Sequence, residues 1–127
     1  MFKAITSPKV PKAIGPYSAG IDTGKTVYVS GQLPINPEIG KIVDGGIKEQ
    51  TEQSLKNVKA VLEACGCDMS NVAKTTVFLS DIGDFAAMNE VYGTFFQAPY
   101  PARCAYQVAA LPQGAKVEIE VIAVKED

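Results

Sequence analysis

The chain has 127 residues, an apolar fraction of 46%, a charged fraction of 20% and a formal net charge of −2. That length fits one domain, large enough to bury roughly two thirds of its unfolded surface without staples, and the composition excludes disorder and a coiled coil. There is no histidine, which removes Ser-His-Asp triads, Cys-His nucleophiles, His-ligated zinc and His general bases.

The lysines are scattered singly, with no basic run, so no nucleic-acid partner is expected. Residues 1–6 lack the apolar stretch of a signal peptide, and nothing later approaches a membrane span. A cytoplasmic location with no membrane partner is the expectation. Cys65, Cys67 and Cys104 form no CxxC, and an odd count in this setting points to reduced thiols.

In chain order, residues 2–5 form a short first strand. The proline- and glycine-rich stretch 7–16 reads as an extended connection. Residues 18–22 and 26–30 pair as a hairpin across Thr23-Gly24-Lys25. A long loop over 31–46 follows, with a small hairpin about Gly40-Lys41, and loops of that length are often functional. Residues 47–65 form the clearest helix: Ile47, Thr51, Leu55, Val58, Leu62 and Cys65 recur every three or four residues, and Gly66 caps the end. Residues 72–80, rich in Val, Thr and Phe, form a strand. A second helix is expected over 83–97, capped by Asp81 or Asp84, with Phe85, Met88, Tyr92, Phe95 and Phe96 inward and Pro99 and Pro101 beyond its end. Strands over 103–111 and 116–125 close the chain.

This is an α+β order in which two helices cover one face of a sheet. The other face is not polar. Thr75, Val77 and Leu79 oppose Phe78, and Val117, Ile119, Val121 and Ala123 oppose Ile122 and Val124. A sheet apolar on both sides needs a second cover, most simply another copy of itself, so a homo-oligomer is expected.

Arg103 carries the most information. Lysine occurs eleven times and arginine once, and this arginine starts a strand among small or apolar residues. Its planar fork suits two-point recognition of a carboxylate or phosphate; the alternative is a strand-edge arginine paired with a surface acid. One charge-assisted hydrogen bond contributes about 1.5–3 kcal/mol, enough to anchor a small anion. Glu118 and Glu120 share one face of the last strand. Glu118 fits a solvated edge, whereas Glu120, nearer Ile122 and Val124, is either solvated or a general base with a perturbed pKa. Asn89, inside the apolar stripe of the second helix, is either a structural bridge to backbone or a pocket group. Tyr17, after Gly15-Pro16, either presents its hydroxyl or packs in the core. Ser30-Gly31 either lets a ligand or chain approach the backbone or ends a strand in a turn. The cysteines read as inert, and no GxGxxG or GxxxxGK[ST] loop is present.

Several segments carry a family pattern in order: Ala13-Ile14-Gly15-Pro16-Tyr17-Ser18, Val29-Ser30-Gly31-Gln32-Leu33-Pro34, Ser54-Leu55-Lys56-Asn57-Val58-Lys59, Lys74-Thr75-Thr76-Val77-Phe78, Pro101-Ala102-Arg103 and Val117-Glu118-Ile119-Glu120. Over nearly its whole length the chain resembles RidA-like members of the Rid (YjgF-type) family. The resemblance implies a chorismate-mutase-like mixed β-sheet with two helices on one face, assembled as a homotrimer around a central β-barrel with interface pockets. It implies hydrolysis of 2-iminopropanoate and 2-iminobutanoate, or their enamines, released by pyridoxal-phosphate-dependent dehydratases, to 2-keto acids and ammonia. No cofactor and no metal are expected. Carried over by position, Arg103 grips the substrate carboxylate and Glu120 holds and deprotonates the attacking water. Tyr17, Ser30, Gly31 and Asn89 line the pocket, and the backbone N–H near Ala105 meets the carboxylate. Some members carry cysteine where this chain has Ala105, so thiol-dependent behaviour does not transfer. Family members without the arginine imply a competing reading, a non-enzymatic small-molecule-binding or regulatory trimer, and others imply translation inhibition or endoribonuclease activity.

Overall fold

The computed structural model describes residues 2–126. Its strands are β1 (Lys3–Ile5), β2 (Gly20–Asp22), β3 (Thr26–Gln32), β4 (Ile35–Asn36) and β5 (Lys41–Ile42), then β6 (Val72–Leu79), β7 (Ala102–Gln107) and β8 (Val117–Val124). Helix α1 (Ile47–Ala64) precedes β6, and α2 (Phe85–Tyr92) lies between β6 and β7. Six strands form one mixed sheet in the order β1-β2-β3-β8-β6-β7, in which only β6 and β7 are parallel. β4 and β5 pair as the small hairpin expected within the 31–46 loop.

The two helices pack against each other and α1 lies across β3 and β8. Its stripe follows from 3.6-residue periodicity: Leu55, Val58, Val61 and Leu62 are fully buried. They meet Val27 and Val29 of β3, Val77 and Leu79 of β6, and Val117, Ile119, Val121 and Ala123 of β8. Gly66, at φ +81°, turns the chain out of α1, as a left-handed cap requires. Asp81 makes the cap ahead of α2: its carboxylate accepts from the Gly83 N–H in a 3-10 turn, whereas Asp84 makes no side-chain cap.

The opposite face of the sheet stays largely uncovered. Tyr28, Tyr106, Ile122 and Val124 are exposed there, and Phe78 is half-buried edge-on against Tyr106 at 5.8 Å. Glu118 and Glu120 share this face of β8 with Ile122 and Val124, as the alternation of the strand predicts. β7 is an edge strand whose outer side pairs with nothing among the described residues.

Some boundaries differ from expectation. The second helix ends at Tyr92 rather than running to residue 97. After Tyr92 the backbone bonds tighten to three-residue spacing, Thr94 N–H to Val91 O and Phe95 N–H to Tyr92 O, and the Thr94 hydroxyl also donates to Val91 O. The prolines beyond forbid a return to helix. β7 ends at Gln107, short of 111. β3 runs past residue 30 to Gln32 through a bulge: Val29 pairs with Val121 and Gln32 with Ile119, so Ser30 and Gly31 together oppose Glu120. Ser30-Gly31 is therefore no strand-ending turn.

Candidate active site

The residues singled out in the sequence gather into two clusters rather than one. The first surrounds Arg103. On β7, Arg103 is in register with Thr75 of β6, which is fully buried on the helix side, so the arginine points toward α2. Its Nη1 donates to Asn89 Oδ1 at 2.7 Å. The guanidinium carbon lies 4.8 Å from the Tyr92 ring centroid and 5.4 Å from that of Phe85. Phe85, Asn89 and Tyr92 fall at i, i+4 and i+7, so a single face of α2 presents all three. Tyr92 is itself fixed, its hydroxyl sharing a hydrogen bond with Thr75 Oγ1 at 2.7 Å and its ring lying 4.7 Å from that of Phe96.

Two aromatic faces and an amide acceptor thus hold one edge of the guanidinium, while the residue as a whole stays exposed. Among the described residues Arg103 makes no ion pair, so the alternative of an arginine tied to a surface acid does not hold. Asn89, half-buried, accepts from Arg103 rather than bridging to backbone. The Ala105 amide adds to this cluster. Val108 N–H donates to Leu79 O, and strand backbone alternates direction, so the Ala105 N–H faces the unpaired edge of β7.

The second cluster lies on the uncovered face. Ser30 is locked by its hydroxyl donating to Ser18 O at 2.6 Å and its N–H donating to Ala19 O at 2.9 Å. Gly31, next along the bulge, faces Glu118. A Cβ there would lie 2.9 Å from the Glu118 carboxyl carbon and 3.0 Å from Oε2. Tyr17 shares with Gly31 a shallow cleft of about 210 Å³ that Ile14 and Leu33 also line. It is 53% exposed, so core packing does not explain it.

The two carboxylates differ in exposure. Glu118 is half-buried, not a solvated edge, and burial, followed by the like charge of Glu120, pushes its carboxyl above the usual carboxylate range. Glu120 is exposed. The cause is local: the bulge at Ser30-Gly31 leaves a notch without a side chain, and Glu118 folds into it. Strand alternation alone puts both glutamates on one face and carries no trace of that notch. Phe85 and Tyr92, read as inward helix residues, also bracket the guanidinium. Their spacing with Asn89 was the available signal.

The clusters do not meet within one chain. Arg103 is on the helix side and Glu118 on the other, and β6 lies between their strands. Two strand spacings separate them by about 10 Å across the sheet, and a three-residue register offset adds about 10 Å along it, with the thickness of the sheet between them. Cys104, next along β7, points away from Arg103 toward the uncovered face, while Cys65 is half-buried and Cys67 buried. Among the described residues no three His, Cys, Asp or Glu side chains gather around a possible metal position, and no helix is long and apolar enough to cross a membrane.

Comparison with known proteins agrees with this architecture. The family described as Endoribonuclease L-PSP matches residues 7–125. A mouse protein named 2-iminobutanoate/2-iminopropanoate deaminase is 53% identical over 123 residues, covering 97% of this chain and 91% of its own. The human protein of the same name is 49% identical, with 97% and 90% covered. Among solved structures, E. coli TdcF with bound serine superposes with a TM-score of 0.94 at 46% identity, covering 98% of this chain and 99% of its own. The E. coli YjgF gene product gives 0.93 at 46%, with the same coverage.

Proposed function

Because the chain belongs to the endoribonuclease L-PSP family, the Rid (YjgF-type) family that its sequence resembles, we propose that it hydrolyses 2-imino acids to 2-keto acids and ammonia. The observation that carries this reading is the Arg103 fork, held by Asn89, Tyr92 and Phe85 with one edge free. A guanidinium fixed in this way binds a carboxylate at two points with little further loss of freedom. The Ala105 N–H, on the same open edge, supplies a third donor.

In the proposed reaction, water adds to the imine carbon as a carboxylate removes its proton. The resulting carbinolamine loses ammonia as the C–N bond breaks and the C=O forms. A protonated imine is already electrophilic, so positioning and proton relay supply most of the catalysis. The carboxylate that best fits this role is Glu118, with Glu120 acting through it: Glu118 is the desolvated one and lies against Gly31, and the charge of Glu120 raises its basicity. Ser30, Gly31 and Tyr17 form the wall around it.

A small substrate cannot span both faces of one sheet, so the reading requires two chains at each site. One supplies Arg103, Asn89 and Ala105 from its β7 edge, and another supplies Tyr17, Ser30, Gly31 and Glu118. The uncovered apolar face and the unpaired β7 edge support such an assembly, which we take to be a homotrimer with its uncovered faces inward. An endoribonuclease reading has the family's description behind it, but the net charge of −2 and scattered lysines oppose it. Hydrolysis is tested by following ammonia and keto acid from imines generated in situ by a threonine dehydratase. An unchanged rate on adding the protein removes the proposal.

A further inference from the structure

Helix α1 buries an unusual set of polar groups: Gln50, Thr51, Ser54 and Asn57 are each no more than 5% exposed. Asn57 is the best connected. Its Nδ2 donates to two backbone carbonyls, Leu33 O at 3.0 Å and Ile35 O at 2.9 Å, and its Oδ1 accepts from Gln53 Nε2 at 2.9 Å. An amide with this many bonds, 1% exposed, has one orientation available to it. The carbonyls it takes belong to the residues where the chain leaves β3 and enters β4. Leu33 and Ile35 stand two and four residues beyond Gly31 of the bulge. Farther back, Gln32 Nε2 donates to Ser30 O, and Gln50 Oε1 accepts from the Lys116 N–H at the entrance to β8.

We propose that Asn57 is a positioning residue for the candidate site, fixing the 33–35 segment so that the Gly31 backbone stays pressed against the Glu118 carboxylate. The inference deepens the imine-hydrolase reading and rests on its choice of Glu118 as base. Asn57 touches neither substrate nor Glu118. It acts by holding the wall that shields one side of the carboxylate from bulk solvent. Glu118 sees few other influences among the described residues. Glu120 is the one charge acting on it, and its facing neighbours on β3 and β6, Gly31 and Phe78, are neutral.

The test is Asn57→Asp, which keeps the shape but sets a carboxylate against two carbonyl oxygens. The Glu118 side-chain carboxyl is titrated by ¹³C NMR in the assembled protein, beside steady-state kinetics. The expected result is a Glu118 titration moved to lower pH and a kcat lower by on the order of ten- to a hundredfold, with little change in KM. Lys56→Ala, on the exposed side of the same helix, serves as the control. A folded Asn57→Asp variant in which Glu118 titrates as in the parent overturns the proposal. If that variant does not fold, Gln53→Met removes only the bond that orients the amide. It should move the Glu118 titration in the same direction by less, and an unmoved titration overturns the proposal equally. Failure of the underlying reading shows separately, as undiminished turnover in Glu118→Gln, whereas the NMR titration reads the wall regardless of activity.

Discussion

Gly31 and Glu118 occupy one another's space: the carboxyl carbon of the glutamate lies 2.9 Å from where a β-carbon on the glycine would stand. Real β-carbons essentially never sit that close to another heavy atom, so any side chain at residue 31 displaces the carboxylate. Gly31→Ala should therefore fold, because the obstructing group is the end of a flexible side chain, but with Glu118 pushed toward solvent. We expect kcat to fall on the order of a hundredfold, read in the dehydratase-coupled assay. Parent-like turnover would show that the contact is incidental.

Arg103→Lys keeps the charge and loses the fork. The bond to Asn89 and the flat stacking on Tyr92 and Phe85 both depend on the planar guanidinium. KM should rise and kcat/KM should drop by roughly ten- to a hundredfold, as expected for about 1.5–3 kcal/mol of lost charge-assisted bonding. Thermal melting should stay near the parent, since the residue is exposed. Equal kcat/KM in the two proteins would remove Arg103 from the substrate.

The two glutamates can be told apart directly. Glu118→Gln should abolish most turnover while leaving KM nearly unchanged. Glu120→Gln should leave a working enzyme, because its proposed role is only to raise its neighbour's basicity. The reverse ranking would return the base to Glu120.

The pH dependence follows from the same pair. A base works when deprotonated, so kcat should climb as pH rises through the raised Glu118 value. Removing the Glu120 charge lowers that value, and the acid limb of Glu120→Gln should move to lower pH. Stability carries the matching sign. A carboxyl raised by folding favours the native state below its unfolded value, and that contribution is lost as pH rises through the folded value. Glu118→Gln should accordingly lose less stability than the parent over that rise, as measured by urea titration at several pH values.

Ile122→Lys tests the uncovered face. A cation placed beside Tyr28 and Val124 costs little in a lone chain, where Ile122 is 37% exposed, but much in a packed assembly. Light scattering should report a smaller particle and the assay a loss of activity. A particle of unchanged mass with full activity would contradict the shared-site reading.

How much of this was legible beforehand depended on the period involved. The α1 stripe and both faces of β8 follow from spacings of 3.6 and 2, and the structure keeps them: Leu55, Val58 and Leu62 are buried, and Val117 through Ala123 alternate with Glu118 through Val124. Arg103 was conspicuous because nothing else in the chain resembles it. The half-burial of Glu118 is not legible in the sequence, because a bulge breaks the period locally and nothing in Ser30-Gly31 says that the register shifts there. The early end of α2 was hidden for the opposite reason, since Phe95 and Phe96 prolong the helical spacing after the backbone has tightened. Asn57 escaped notice because an amide reads as a surface residue until its two carbonyl partners, 22 and 24 positions away, are known.

Since Arg103 and Glu118 look out from opposite sides of one sheet, damage to each should be separable by protomer. A subunit crippled at its guanidinium still offers a sound carboxylate, and one crippled at its carboxylate still offers a sound guanidinium. Co-refolding Arg103→Lys with Glu118→Gln would then rebuild some whole junctions from two inactive parents, a rescue that no single-chain site can give.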